Sequence, residues 1–299
     1  MAFQEYNISR SVEDGDQLGS VMYFLGVFAG HWLPGNERSQ FSCCYDFRPG
    51  GMTRYYLQVH FRCFTHVDSL DWVKGTDGLR CLRKHFEIAS DDPGVTSYIF
   101  QERRISIFGI LSTGTPIVGE PAGSLFYRVL VLAESGMDLF SNVLPSGFGG
   151  CEGLEGTIAF QIAVLEAIAP WEAEWNSVLD KIDIRLQFSL ETHLRPEEIR
   201  KWMFDDHFER SELYFTILQV LRVFGEYIRT LSLDLHYLDE VFSPNGPSDF
   251  PLKDMRPDEL RVMRENWKTV MEAHQKAEKR LLGRLSDKTE EVKSLRDGV

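Results

Sequence analysis

The sequence contains no run of apolar residues long enough to cross a lipid bilayer. About 18 to 20 such residues are needed, and the nearest candidate, residues 18–33, is shorter and includes His31. Basic charge is also scarce, since 32 lysines and arginines face 45 aspartates and glutamates and leave a net charge of −13. A nucleic-acid-binding protein normally carries a basic face. The composition therefore predicts a soluble chain that does not bind nucleic acid.

Recognisable catalytic and metal-binding motifs are absent as well. The five cysteines form no C-x-x-C pair, which is typical of a reduced cytosolic protein rather than a disulfide framework. The sequence has no G-x-S-x-G, no H-E-x-x-H and no zinc-ribbon spacing. We therefore predict no catalytic residue, no enzyme activity and no tightly bound cofactor, and the sequence leaves the identity of any metal ligands unknown.

Two histidines share one predicted strand. His60 and His66 are six residues apart, so both side chains are expected on the same face of the strand. This spacing suits a metal or an acid–base pair, but no carboxylate completes it, and we favour a structural role. An enzyme would need a pocket that joins one of these histidines to a nucleophile such as Cys63, which is expected on the opposite face.

The densest group of potential cation ligands is Asp205, Asp206 and His207, with Glu209 close by. Consecutive residues of a helix point in different directions. One ion would therefore not reach all of these side chains easily, and we favour a solvated helix junction.

A glycine-rich loop at residues 147–156 precedes a predicted helix and superficially resembles a phosphate-binding loop. It lacks the G-K-[ST] ending and the G-x-G-x-x-G spacing, and Glu152 and Glu155 would repel phosphate. We predict a flexible loop between domains.

The first half of the chain has the pattern of a sheet. Aromatic and β-branched residues predict strands, and a short helix fits within residues 72–88; the strands are placed at 54–64, 98–103, 105–111 and 125–133. We assign residues 1–145 to a domain built on a mixed β-sheet with flanking helices.

Residues 151–242 are predicted to be helical, acidic and rich in aromatic residues. One helix is expected to end before Pro170 and a second to begin at Trp171. Eight acids oppose two basic residues between positions 151 and 192, and we favour a solvated face over attraction of divalent cations; these acids are Glu152, Glu155, Glu166, Glu172, Glu174, Asp180, Asp183 and Glu191.

A linker at residues 243–256 leads to a final helix at 257–299. Pro257 suits a first helical turn, and apolar residues then recur every three or four positions: Leu260, Met263, Trp267, Val270, Ala277, Leu281, Leu285, Val292 and Leu295. About 40 helical residues span about 60 Å, which is typical of a stalk. A seven-residue ladder along this helix meets His274 and Lys288, which favours a stalk that packs first on its own domain.

The last turns of this helix carry an excess of lysine and arginine and no capping residue. Such an excess fits a segment close to a membrane span and equally complements the helix dipole. We expect the natural chain to continue beyond Val299.

The end of the sequence resembles the segment that precedes the membrane helices of fungal CorA-like divalent-cation transporters. The resemblance is carried by Lys288, Glu290, Glu291, Val292, Ser294, Leu295, Arg296, Asp297 and Gly298. It implies a pentamer whose five stalk helices line a cytosolic funnel, with magnesium or a related cation as the transported ion and Mg²⁺ bound weakly between protomers. Both transmembrane helices and the Gly-Met-Asn loop of that family are missing from the sequence.

We therefore expect an α+β chain with a very long C-terminal stalk helix. Its expected function is that of the regulatory or gating domain of a CorA-like magnesium transporter, located at the cytosolic face of a membrane in the full-length protein. The alternative is a soluble helical adaptor whose last helix pairs with a partner through Leu281, Leu285, Val292 and Leu295.

Overall fold

The computed structural model of the chain describes eleven segments. These are residues 2–6, 42–45, 53–67, 85–88, 98–113, 126–133, 145, 147–150, 155–186, 209–243 and 256–297. Strands come first along the chain and helices follow, so the fold belongs to the α+β class, as the sequence predicted.

Six strands form one sheet. They are β1 (Ala2–Tyr6), β2 (Ser42–Tyr45), β3 (Thr53–Val67), β4 (His85–Ile88), β5 (Tyr98–Thr113) and β6 (Phe126–Ala133). Their order is β1-β6-β5-β3-β2, and β4 pairs with β5 beside that path. A mixed sheet was expected, but the strand pairs with a described register, β1–β6, β2–β3, β4–β5 and β5–β6, are antiparallel.

The four predicted strands correspond to three observed ones, β3, β5 and β6. The segments 98–103 and 105–111 are a single strand, β5, because the charged residues Arg103 and Arg104 continue the strand instead of ending it. Residues 85–88 form strand β4, and the rest of the segment expected to hold a short helix lies outside the described residues.

In the described segments after the strands there are three helices: α1 (Glu155–Leu186), α2 (Glu209–Phe242) and α3 (Pro257–Asp297). The break expected before Pro170 is wrong, since α1 runs through it without interruption. A proline inside a helix removes one backbone hydrogen bond at a cost of about 3 kcal/mol. Trp171 and Trp175, which follow directly, are fully buried, and their burial offsets a cost of this size.

The predicted final helix is present as α3, 41 residues long. It does not have the packing of a free-standing stalk, because buried residues recur along it, namely Met263, Trp267, Val270, His274, Ala277, Leu281, Leu285 and Val292.

By their contacts, the residues group into two compact units. The first unit consists of Met1–Phe61, Arg104–Pro170 and Leu231–Gln275, and the second of Arg62–Arg103, Trp171–Thr230 and Lys276–Val299. The boundaries predicted along the chain, after residues 145, 242 and 256, stay a prediction, because these units collect segments by contact and not by sequence order.

The core of the first unit joins the sheet to α1. Leu57, Phe108 and Phe160 are buried there, and Gly109 allows the closest approach. A Cβ atom on Gly109 would lie 3.0 Å from Cδ2 of Phe160 and 3.7 Å from Cβ of Leu57. A side chain at this position would therefore push the Phe160 ring away from the strand.

The core of the second unit is a cluster of aromatic rings. Phe224 of α2 lies 4.9 Å from Trp175 of α1 and 5.4 Å from Phe64 of β3, measured between ring centroids. Phe86 and Phe100 complete the cluster at 5.5 and 6.5 Å from Phe224. Offset and tilted ring pairs at these distances contribute beyond the area that they bury.

Candidate functional site

The largest group of charged side chains with described partners lies between α1 and α3 in the second unit. We call it the charged contact, and it consists of Glu172, Asn176, Asp180 and Asp183 of α1 with Arg280, Arg284 and Lys288 of α3. Residues three or four positions apart share one face of a helix. The four α1 residues therefore lie on one face of α1, and the three α3 residues lie on one face of α3. The two helices run in the same direction here, since the residue numbers on both sides rise together.

Arg280 begins the charged contact with a bidentate pair. Its Nε donates to Glu172 Oε1 at 2.6 Å and its Nη2 donates to Glu172 Oε2 at 2.7 Å. This is the strong, geometrically specific form of an arginine–carboxylate pair. The pKa of Arg280 is raised by this hydrogen bond and by the charge of Glu172.

Arg284 occupies the centre of the charged contact. It donates to Asn176 Oδ1 at 2.9 Å, to Asp180 Oδ1 at 2.7 Å and to Asp183 Oδ2 at 3.0 Å. Three oxygens therefore converge on one guanidinium, which has enough N–H groups to serve all of them.

Lys288 ends the charged contact one turn further along. Its Nζ lies 2.7 Å from Asp183 Oδ1, and it also pairs with Glu291 of its own helix. Burial by itself lowers the pKa of Lys288, but the hydrogen bonds to Asp183 and Glu291 outweigh that effect, and the pKa is raised. The ammonium group is thus held in its charged form.

These pairs change the interpretation of the acidic helices. Among the eight acids singled out in the sequence, basic partners are described for Glu172, Asp180 and Asp183 in the charged contact, and for Glu174, whose Oε1 accepts from Arg103 at 3.1 Å. Sequence reasoning missed these partners because they lie about 70 to more than 100 residues away along the chain. These four carboxylates are therefore occupied by the chain itself.

The apolar stripe of α3 is also used by the chain itself. Leu281 and Val292 are fully buried and Leu285 is 5% exposed. Leu295, at the end of the stripe, is half-buried. A partner helix would have to displace the chain's own contacts before it could reach the first three residues.

In the first unit, α3 is held by neutral hydrogen bonds. Asn266 is fully buried; its Oδ1 accepts from the Gly149 N–H at 2.8 Å, and its Nδ2 donates to the Gly149 carbonyl at 3.0 Å. Gln161 of α1 donates to the Met263 carbonyl at 2.9 Å. The amide side chain of Asn266 thus pairs with both the N–H and the C=O of Gly149, which lies outside regular secondary structure.

Two of the glycines that precede α1 have local structural reasons. Gly147 has φ = 92°, which a residue with a side chain rarely adopts. A Cβ atom on Gly149 would lie 3.1 Å from Val262 Cγ1. Within residues 147–150, the loop that was predicted to be flexible is fixed to α3 by two hydrogen bonds.

Replacing Asn266 by alanine is expected to lower the free energy of unfolding by about 1 to 3 kcal/mol, because the part-buried N–H and C=O of Gly149 both lose their partner. The measurement is urea unfolding followed by circular dichroism. Glu265→Ala is the control, since that neighbouring side chain is 61% exposed. Equal losses in the two variants would show that the amide pair with Gly149 contributes nothing specific.

The two candidate histidines have different environments. His60 is buried, its Nδ1 lies 2.8 Å from Ser106 Oγ, and its Nε2 contacts the Gln58 amide. His66 is half-buried, with its ring 5.6 Å from Tyr98 and 6.0 Å from Phe100. A serine beside a histidine can serve as a nucleophile with its base, but Ser106 is itself only 5% exposed. We interpret these contacts as the pairing of polar groups inside the sheet.

The remaining candidates contribute no site in the described segments. Cys63 is buried, with its Sγ 3.9 Å from the Arg103 carbonyl. Asp205, Asp206 and His207 lie outside the described residues. Within the described part of the chain, no three His, Cys, Asp or Glu side chains are placed to hold a metal ion.

The basic excess at the end of α3 is reduced by local pairs. Lys293 lies 2.8 Å from Glu290 and Arg296 lies 2.7 Å from Asp297. Among the described helices, none combines the length and the apolar character that a membrane span requires.

Comparison with known proteins adds no assignment: no protein-family model, no curated protein and no solved structure matches this chain.

Proposed function

We propose that the chain is the cytosolic regulatory or gating domain of a CorA-like magnesium transporter, whose pore is formed by membrane helices outside this sequence. The observation that carries the proposal is α3. It has 41 helical residues, and the resembling run, which extends from Lys288 to Gly298, is helical from Lys288 to Asp297. In this proposal α3 is the stalk, and five copies line a funnel above the pore.

The order of elements supports the same function. A sheet, two helices and one longer helix follow each other along the chain, in the order that the resemblance implies. Any Mg²⁺ between protomers would bind weakly, because the ion keeps much of its water and takes only one or two carboxylates. The acids of the charged contact are already paired, so such bridges would use other carboxylates, for example the exposed Glu212, Glu226 and Glu240 of α2.

The test measures the mass and the thermal stability of the chain with and without Mg²⁺. In millimolar MgCl₂, sedimentation is expected to show association toward five chains, and the melting temperature is expected to rise, because a ligand that binds only the folded state stabilises it. NaCl at equal ionic strength is the control for screening. If mass and melting temperature stay the same in both salts, the chain does not sense magnesium and the proposal fails.

The adaptor alternative has less support. It needs a partner to reach Leu281, Leu285 and Val292, which are buried within the chain. We therefore keep the transporter proposal as the better supported function.

A further inference from the structure

The last turns of α3 are attached differently from its first turns. In the first unit, α3 buries Met263, Trp267 and Val270 and is held by neutral hydrogen bonds at Met263 and at Asn266. Hydrophobic burial and neutral hydrogen bonds depend little on ionic strength, whereas interactions between accessible charges are screened. The two ends of the helix therefore differ in their response to salt.

Between residues 284 and 297 the only buried side chains of α3 are those of Leu285 and Val292. The described polar contacts of this segment with α1 come from Arg284 and Lys288. Both pair with Asp183, Arg284 also pairs with Asp180, and Arg284 makes a neutral contact to Asn176 Oδ1. Because the segment buries little apolar area, its ion pairs contribute a large part of the free energy that holds it on α1.

The ionic groups are within reach of dissolved ions. Asp180 is 64% exposed and Arg284 is 35% exposed, whereas Asp183 and Lys288 are 27% and 16% exposed, so the Arg284–Asp180 pair is the more accessible one. Salt screens exposed pairs of this kind strongly, because the screening length falls from about 10 Å at 0.1 M to about 3 Å at 1 M.

Gly283 lies at the start of this segment. It is exposed, and a Cβ atom built on it would meet nothing within 4 Å. No close approach therefore requires a glycine here. Glycine is the weakest helix former after proline, so the helix is locally weak at the junction between Leu281 and the charges of Arg284.

We propose that residues 284–297 form an electrostatic strap, which is closed on α1 at low ionic strength and detaches from it when its ion pairs with Asp180 and Asp183 are screened. Gly283 is the point at which the strap opens. The proposal concerns the chain by itself and holds whether or not the chain regulates a transporter. In a longer protein, a closed strap would hold the residues after Asp297 rigidly, and an open strap would let them move.

The test is hydrogen exchange of the whole chain in 20 mM and in 500 mM NaCl. Backbone amides of residues 285–293 are expected to exchange about tenfold faster in high salt, while those of residues 263–270 change by less than about twofold. Salt-independent exchange at residues 285–293, or the same acceleration in both segments, would overturn the proposal.

Three variants make the test specific. Asp183→Asn removes the negative charge shared by Arg284 and Lys288, and residues 285–293 are expected to exchange fast already in 20 mM NaCl, with little further effect of salt. Gly283→Ala is expected to slow exchange in both salts. The matched control is Lys268→Gln, because Lys268 pairs only with Glu272 of its own helix at 3.8 Å, and it should leave the response of the strap unchanged.

A second charge variant covers the case in which Asp183→Asn disturbs the fold. Lys288→Met keeps the apolar stem of the side chain and removes its charge, and it is expected to weaken the response of residues 285–293 to salt. Near-ultraviolet circular dichroism of the aromatic cluster checks that each variant is folded. If both charge variants are folded and exchange like the wild type, the strap is not held by charge.

Discussion

Replacing Phe224 by alanine is expected to lower the free energy of unfolding by about 3 to 5 kcal/mol. Phe224 is fully buried at the centre of the aromatic cluster, with rings from β3, β4, β5 and α1 around it. The truncation removes the ring contacts and leaves a cavity that the surrounding large side chains can fill only in part. Urea unfolding measures the loss, and near-ultraviolet circular dichroism reports the rearrangement of the other rings.

Phe215→Ala is the matched control on the same helix. Phe215 is 60% exposed, so its truncation is expected to change the free energy of unfolding by less than about 0.5 kcal/mol. Similar losses in the two variants would mean that the aromatic cluster is not the core of the second unit.

Three of the six described strands, β3, β5 and β6, could be predicted from the sequence because their pattern is local, whereas the short strands β1, β2 and β4 were not predicted. Alternation and β-branched or aromatic residues decide the state of segments such as β3 and β6. The single strand β5 was predicted as two, separated at Arg104. Arg103 is compatible with the strand because Glu174 of α1 accepts its hydrogen bond, and no local pattern contains that partner.

The continuity of α1 illustrates the same limit. Pro170 carries a strong local signal for a helix end. The contacts of Trp171 favour a continuous helix instead. Its Nε1 donates to the Arg62 carbonyl at 2.9 Å and its ring is fully buried. Packing overrides the local preference here, and the sequence alone does not show which of the two is larger.

The charged contact could be predicted only in part. The acidic face of α1 and the basic end of α3 were each visible as patterns. Their pairing was not, because Glu172 and Arg280 are 108 residues apart. The seven-residue ladder on α3 was visible as well. The structure shows the environment of its two polar members: His274 is fully buried, and Lys288 forms ion pairs with Asp183 and Glu291.

Stability is expected to fall in mild acid because of His274. Burial lowers the pKa of this histidine from 6.5 to about 4. Between these two values the unfolded chain takes up a proton that the folded chain excludes, so acid favours unfolding. The stabilisation is fully present above about pH 6.5 and is lost progressively as the pH falls toward 4. Between pH 7.5 and pH 5 the expected loss is about 2 kcal/mol, at about 1.4 kcal/mol for each pH unit below the unfolded pKa.

Urea unfolding at pH 7.5 and at pH 5 tests this origin when the wild type is compared with His274→Gln. Glutamine does not titrate, so the variant is expected to lose about 2 kcal/mol less than the wild type over this pH range, whatever its stability at pH 7.5. His236→Gln is the control, because His236 is exposed on α2, and it should keep the full dependence on pH. The comparison stays above the range in which most carboxylates titrate, so they contribute little to the difference. If the wild type and His274→Gln lose equal stability, the proton is taken up elsewhere, and the burial of His274 does not set the response of the fold to acid.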